Sequence, residues 1–256
     1  NWLWKDFIKP KTRDAAARPD VFLMQARSDE NPHFPKEEYE SKQATMDPRR
    51  FRMMFGGEFD RPEGLVYDCF NELENIVPKY SLPEGTRFYA GIDWGTTHPF
   101  VLLVRAVTPS DNHFQVAEFY KTGLTLIDML DVAEKLKAVW GIKMFYADPS
   151  QPGYIEEFNR RGLTCVAADN DIMKGIGYHY ELIRTRRYKI FEGSSPHTID
   201  EYETYHYPSP SDLRPDQNEK VGIPVKQNDD CCDAARYVTI MTYRGASSVR
   251  RVVKVR

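Results

Sequence analysis

The chain has 256 residues, which is enough for one large domain or a domain with an appendage, and a formal net charge of −3 at pH 7. The slightly negative balance gives no bulk signal of nucleic-acid binding, although local patches decide such binding. No apolar run approaches the roughly 20 residues of a membrane span, so no membrane contact is expected. The four cysteines form no C-x-x-C pair, which argues against a zinc knuckle and is typical of free thiols in a reducing compartment.

The N-terminal third differs in composition from the rest of the chain. Residues 1–82 are rich in charge, Pro and Met, and they include a turn-rich extended stretch at 29–35. The Pro-Glu-Gly sequence that follows is a linker signal, so we place a boundary there. We expect a connector segment at 1–82, a main domain at 83–245 and a basic C-terminal tail at 246–256.

After this boundary the apolar residues follow strand and helix periods in turn. Strands of an antiparallel meander are predicted at 87–94, 100–107 and 114–121. Helices at 125–140, 154–161, 174–186 and 198–205 alternate with strands at 143–147, 164–168 and 188–191, and a last helix covers 229–243. A meander followed by β-α-β units predicts an α/β fold with a mixed sheet and helices on both faces.

Three short acidic motifs follow one another in a fixed order. Asp93, in Gly-Ile-Asp-Trp-Gly, ends the first meander strand, and Asp148, in Tyr-Ala-Asp-Pro, follows a later strand. The third motif, Asn-Asp-Asp-Cys-Cys-Asp-Ala-Ala-Arg-Tyr, opens the last helix. There Asp230 and Asp233 are three residues apart and Asp229 and Asp233 are four apart, so either pair shares a helical face.

Each of these aspartates alone has an ordinary structural explanation. Asp229 or Asp230 is more typical of a helix N-cap than of a ligand, and Asp148 before Pro149 would equally start a turn. Together they predict one divalent-metal site. Two cations about 3.5–4 Å apart can activate water and stabilise the leaving oxygen of a phosphodiester. Since Mg²⁺ prefers carboxylate oxygens, we expect two Mg²⁺ or Mn²⁺ ions in this cage.

The motifs in this order resemble the nuclease half of the tailed-bacteriophage terminase large subunit, the DNA-packaging motor. The segments that carry the resemblance are 29–35, 56–59, 64–67, 91–95, 146–150, 224–226 and 229–237. The last is the most specific, since the family typically shows an Asp-His or Asp-Asp pair, then Asp-Ala, an apolar residue and Arg-Tyr. Cys231 and Cys232 depart from the usual small or apolar residues.

The resemblance implies a ribonuclease-H-like fold with a five-stranded type of sheet and an endonuclease that cuts double-stranded viral DNA during genome packaging. It implies that Asp93 bridges two metal ions and that Asp148 binds one. Asp233 and Asp230 complete the site, with Asp233 as the third catalytic residue, and which of the two is the main third ligand stays open.

The resemblance also implies partners and a place of action. These are the portal, the small terminase subunit and an ATPase domain of the same protein, in the cytoplasm of the infected bacterial host. No G-x-x-x-x-G-K-[ST] loop occurs in the chain, so we expect the ATPase core to be missing from it. Residues 1–82 then correspond to the connector from the end of that ATPase.

A basic cluster is the candidate DNA contact. Arg184, Arg186, Arg187 and Lys189 lie within one short stretch, which is either a solvated helix end or a set of phosphate contacts. A nuclease that accepts many sequences needs such sequence-independent contacts. We therefore predict that this cluster binds DNA, together with Lys220 from the polar loop before the last helix.

Other functions share parts of this pattern. A junction resolvase or transposase core would have the same acidic cluster, and a DNA clamp or portal-docking module would need the basic residues alone. The Gly-Ile-Asp-Trp-Gly-Thr-Thr sequence also resembles the phosphate-binding turn of sugar kinases and actin-like ATPases. Those folds need a second phosphate loop and a Gly-rich adenosine site, whereas no Gly-Gly pair occurs among the residues that follow this motif.

Overall fold

The computed structural model describes residues 19–20, 22, 26–45, 51, 55–57, 64–208 and 223–243. The chain forms two compact units, Asn1–Pro62 and Glu63–Arg256. Lys220, its polar loop and the predicted tail at 246–256 lie outside the described residues.

The N-terminal unit contains a 3₁₀ turn at Ser28–Glu30 and helix α1, Lys36–Thr45. Three aromatic rings contact one another there. The ring centroids of Tyr39 and Phe51 are 5.0 Å apart, and those of Phe51 and Phe55 are 5.3 Å apart. Aromatic pairs at these distances are favourable beyond the area they bury, so they give this unit an apolar cluster of its own.

The second unit contains the sheet and the remaining described helices. The strands are β1 (Ile76–Val77), β2 (Arg87–Asp93), β3 (Phe100–Val107), β4 (His113–Lys121), β5 (Met144–Ala147), β6 (Cys165–Ala167) and β7 (Tyr188–Phe191). The helices are α2 (Glu72–Asn75), α3 (Leu126–Trp140), α4 (Pro152–Arg160), α5 (Ile172–Arg184), α6 (Pro196–Tyr202) and α7 (Asp230–Thr242). The alternation predicted from the sequence is confirmed.

The strands of the described residues form one seven-stranded sheet in the order β1-β7-β4-β3-β2-β5-β6. The β2-β3-β4 meander is antiparallel, as predicted, and all the other pairs are parallel. The sheet has two strands more than the five that the resemblance implied, and of the two strands beyond β4, β7 was predicted from the sequence and β1 was not.

Helices cover both faces of the sheet, so its central strands are buried on both sides. In β3, Phe100 and Leu102 pack in the core cluster that includes α3 and α4 residues, whereas Val101 and Leu103 pack against α7. This mixed α/β architecture confirms the predicted fold class. None of the described helices is long and apolar enough to cross a bilayer.

The second unit begins at Glu63, well before the boundary predicted at 82/83. Tyr67 and Phe70 are fully buried in a cluster with residues of α5, α6 and β7. Strand β1 pairs with β7 in the same sheet. The burial of Tyr67 and Phe70 and the pairing of β1 show that residues 64–77 belong to the sheet unit. The sequence did not indicate these short core segments, because charged residues and prolines surround them.

Candidate active site

Asp93 and Asp148 are brought together by two neighbouring parallel strands. β2 ends at Asp93, and in β5 Ala147 is paired with Ile92. The backbone N–H of Asp148 donates to the carbonyl of Ile92 at 3.0 Å, which extends the ladder by one residue. Both residues therefore lie at the C-terminal ends of these two parallel strands. We call this end of the sheet the acidic edge.

The backbone around Asp148 is fixed by local hydrogen bonds. The indole N–H of Trp94 donates to the carbonyl of Asp148 at 2.9 Å. The Asp148 carboxylate accepts from the backbone N–H of Ser150 at 3.0 Å and from its hydroxyl at 2.6 Å. Asp148 thus forms the turn that its sequence context suggested while standing at the strand end.

Helix α7 adds two more carboxylates to the acidic edge, Asp230 and Asp233 in its first turn. The helix passes so close to β2 that a Cβ atom at Gly91 would lie 2.0 Å from the carbonyl oxygen of Ala234. Because Gly91 and Asp93 are two residues apart in a strand, they face the same side of the sheet. Asp93 therefore faces the layer that contains α7.

The electrostatics of Asp93 show that these carboxylates act on one another. Burial first, and then the negative charges of Asp233, Asp230 and Asp148, together raise the pKa of Asp93 to about 9, while Lys226 opposes the shift. Burial also raises the pKa of Asp230. Carboxylates in this arrangement repel one another until cations neutralise them, which is a property of divalent-metal sites.

The N-terminus of α7 is capped from another helix. Asp229 occupies the N-cap position, but its side chain accepts no capping hydrogen bond. Instead Glu201 of α6, which is buried, accepts from the backbone N–H of Cys232 at 2.9 Å. A carboxylate is favourable near a helix N-terminus. Because Glu201 does the capping, the side chains of Asp229 and Asp230 are available to the acidic edge.

Two cationic side chains hold Asp233. Its Oδ1 accepts from the Nε and Nη2 atoms of Arg236 at 3.2 and 3.0 Å, and its Oδ2 accepts from the Lys226 ammonium at 3.1 Å. Arg236 is 1% exposed and also donates to the side-chain oxygen of Asn170 at 3.1 Å. Lys226 lies 3.8 Å from Asp229 Oδ2, so one ammonium stands between two carboxylates.

The aspartates of the acidic edge offer carboxylate oxygens, and this kind of ligand fits hard divalent cations. Asp229 Oδ2 is buried and has no hydrogen-bond partner, which leaves an oxygen to be satisfied by a cation. As they stand, no three His, Cys, Asp or Glu side chains of the described residues enclose an ion site. The Asp148 carboxylate bonds to Ser150, and the Asp233 carboxylate bonds to Lys226 and Arg236.

The predicted basic cluster lies elsewhere. Strand β7 runs parallel to β2, so its first residues lie at the edge of the sheet where β2 begins, opposite the acidic edge. The seven residues of β2 span about 20 Å. Arg186 pairs with the Glu74 carboxylate at 2.6 Å, Lys189 donates to the Glu74 carbonyl, and Arg187 pairs with Asp111. These cations are thus partnered within the protein, and their contact with DNA stays a prediction.

Sequence reasoning named no cation at the acidic edge, yet Lys226 and Arg236 contact Asp233 directly. Arg236 carried a readable signal, because it lies three residues after Asp233 on the same helix and therefore on the same face. Lys226 carried none, because the turn between it and α7 decides where its ammonium lies.

The fold has counterparts among solved structures. No family model and no curated protein sequence matches the chain. The large terminase of the thermophilic bacteriophage D6E is 21% identical, with a TM-score of 0.60 over 96% of this chain and 60% of its own. The large terminase nuclease domain of P22 is 18% identical, with a TM-score of 0.58 over 74% of this chain and 98% of its own. The nuclease domain of the SPP1 large terminase, with bound Mn, is 15% identical, with a TM-score of 0.50 over 67% of this chain and 95% of its own.

These likenesses establish the fold. The chain has the ribonuclease-H-like fold of large terminase nuclease domains, and the resemblance inferred from the sequence motifs is confirmed at that level. The chain spans about 60% of the length of the D6E terminase.

Proposed function

We propose that this chain is a metal-dependent endonuclease that cuts double-stranded DNA in phage genome packaging. The observation that carries the proposal is the convergence of Asp93, Asp148, Asp230 and Asp233 at one edge of a ribonuclease-H-like sheet, with the pKa of Asp93 raised to about 9 by burial and by the other carboxylates. Such stored repulsion favours the uptake of cations. The Mn-bound SPP1 nuclease domain, similar in fold, supports the same chemistry.

Each carboxylate has a role that follows from its place. Asp93 ends the strand beside β5 and faces the layer that contains α7, so it would hold ions together with Asp148 from β5 and with Asp233 or Asp230 from α7. Two Mg²⁺ or Mn²⁺ ions would supply the activated water and stabilise the leaving oxygen. Arg236 fixes the direction of Asp233 from the buried side, and Glu201 fixes the start of the helix.

Lys226 balances part of the negative charge of the site. Its ammonium contacts Asp233 Oδ2, and it also lowers the pKa of Asp93. Divalent ions held by the same carboxylates would take the place of this contact, and the ammonium would then be free for another anion nearby. A DNA phosphate is the anion that the proposed reaction brings to this place.

The wider setting is part of the proposal. As in terminases, the chain would work with an ATPase domain, a small subunit and a portal in the cytoplasm of an infected bacterial cell. The N-terminal unit, Asn1–Pro62, would connect to that ATPase. The likeness of 96% of this chain to 60% of the D6E terminase supports this arrangement.

Nicking of supercoiled plasmid tests the proposal. We expect the wild type to cut with Mg²⁺ or Mn²⁺, to cut poorly with Ca²⁺ because its looser coordination misplaces the water, and to be inactive in EDTA. Asp93→Ala should abolish cutting. Asp131→Ala is the matched control, because Asp131 is exposed on α3 and pairs only loosely with Arg161 at 3.6 Å. Undiminished cutting in EDTA, or by Asp93→Ala, would refute the proposal.

A further inference from the structure

Two stacked rings stand beside the acidic edge and take no part in the proposed metal cage. The rings of Tyr120, near the end of β4, and His197, in the first turn of α6, have centroids 4.0 Å apart and planes inclined by 3°. The side chain of His197 is 47% exposed. The pair thus presents a flat imidazole to solvent on a tyrosine backing.

The strand register places this pair relative to the site. Val101 of β3 is paired with Asp93 on one side and with Tyr120 on the other. Directly paired residues share a face, and adjacent strands are about 4.8 Å apart, so Tyr120 lies about 10 Å from Asp93 on the same face. Burial raises the pKa of Tyr120, and the charges of Glu201 and Asp230 contribute to this shift, which agrees with its place beside the α7 end of the acidic edge.

A buried carboxylate fixes the orientation of the imidazole. Glu118, 2% exposed, accepts from His197 Nδ1 at 2.7 Å and from the His197 backbone N–H at 3.0 Å. Its other oxygen accepts from the backbone N–H and the hydroxyl of Thr198 at 2.8 and 2.6 Å. Since a carboxylate only accepts, Nδ1 carries a hydrogen. The ring cannot turn without breaking this contact, and Nε2 has no partner among the described residues.

We propose that His197, backed by Tyr120 and oriented by Glu118, contacts a backbone phosphate of the DNA strand a few nucleotides from the cut. This inference rests on the proposed nuclease function. A DNA strand carries a phosphate about every 3.4 Å of axial rise, so a contact about 10 Å from Asp93 falls within a few nucleotides of the reacting one. The contact uses the imidazolium form, in which Nε2 also donates and Glu118 balances the charge of the ring.

The arrangement suits a phosphate better than a base or a metal ion. A base stacked on the exposed face of the imidazole would leave Nε2 without a partner, whereas a phosphate oxygen at the ring edge would accept from it. A metal ion would need further ligands, and no such group exists among the described residues. The contact carries no sequence information, which matches an enzyme that must accept many sequences.

The test measures binding of a short duplex in Ca²⁺, which supports binding with little cutting. We expect His197→Ala to lower affinity about three- to tenfold and to reduce the salt slope by about one phosphate contact. His197→Arg should restore both, because a guanidinium also stacks on a ring and donates to phosphate. Lys143→Ala is the control, since this exposed cation precedes β5 at the opposite edge of the sheet.

A neutral methylphosphonate placed at single positions along the duplex locates the contact. One position near the cut should weaken the wild type but not His197→Ala, so the two changes should not be additive. If the wild type binds and cuts DNA but His197→Ala binds it as tightly as Lys143→Ala does, this inference alone is overturned. Loss of Mn²⁺ affinity in His197→Ala would also overturn it, in favour of a metal ligand. A wild type that neither binds nor cuts DNA would overturn the proposed function and this inference with it.

Discussion

The two edges of the sheet treat charge in opposite ways. At the acidic edge, Asp93 is half-buried near three other carboxylates, and its pKa is raised to about 9. At the opposite edge, Arg186 and Arg187 each pair with a carboxylate of the protein, Glu74 and Asp111. The acidic edge therefore keeps more carboxylates than the cations Lys226 and Arg236 can balance, whereas the charge of the basic cluster is largely satisfied.

This difference teaches that a run of charges in a sequence says little about its availability. The four basic residues are close together in the chain, and folding gives three of them internal partners. The aspartates of the acidic edge are far apart in the chain, and folding gathers them with Lys226 and Arg236 as their cations. Function is expected where the fold leaves charge unbalanced.

The largest expected effect concerns cutting. Asp148→Ala should reduce plasmid nicking by about 1000-fold or more, because it removes a proposed metal ligand. The melting temperature should stay close to that of the wild type, since the bonds of Asp148 to Trp94 and Ile92 use its backbone and its side chain bonds only to Ser150. Asp131→Ala again serves as the control. Near wild-type nicking by Asp148→Ala would remove this residue from the site.

A second prediction concerns the approach of α7 to β2. Gly91→Ala should destabilise the fold by about 3 kcal/mol and displace the helix that carries Asp230 and Asp233, because the new methyl group meets the Ala234 carbonyl. Gly153→Ala is the matched control, since a Cβ at Gly153 meets nothing within 4 Å. Chemical unfolding compares the two variants. Equal stability would show that the helix has room to move.

A third prediction uses the pKa of Asp93. Its folded-state pKa is raised from 3.8 to about 9. The contribution of this group to the free energy of unfolding is therefore fully present below about pH 4 and is lost as the pH rises towards 9. Asp93→Asn should remove this loss and raise the free energy of unfolding at neutral pH by about 1–2 kcal/mol in EDTA. Urea unfolding across the pH range measures it. A variant with the wild-type pH slope would contradict the strained acidic edge.

Much of the fold followed from the sequence, and the reasons are local. The meander and α3 were predictable because periodicity, a Thr125 capping box and a glycine at position 141 with positive φ all agree. The proximity of Asp93 and Asp148 was predictable because each follows a strand, and neighbouring parallel strands end at the same end of the sheet. The early start of the unit was not predictable, because Tyr67 and Phe70 are core residues without a periodic segment around them. The opposite placement of the basic cluster was not predictable either, because it depends on the sheet order.

The smallest expected effect concerns that basic cluster. Neutralising Arg184, Arg186 and Arg187 together should weaken binding to long DNA of any sequence and flatten the salt dependence. On a short duplex that covers the acidic edge, the loss should be smaller than that of His197→Ala, because the cluster is about 20 Å away and partly paired. Binding isotherms at several salt concentrations compare the two. A larger loss on the short duplex would reverse the comparison between the two edges.

The central claim is that the carboxylates of the acidic edge hold divalent ions, and a Mn²⁺ titration tests it most directly. Electron paramagnetic resonance of free Mn²⁺ gives the number of ions bound by the wild type, Asp93→Ala and Asp131→Ala. We expect about two ions for the wild type and for Asp131→Ala, and weaker binding of fewer ions for Asp93→Ala. If Asp93→Ala binds Mn²⁺ with the wild-type number and affinity, the account of this edge as a metal site is wrong.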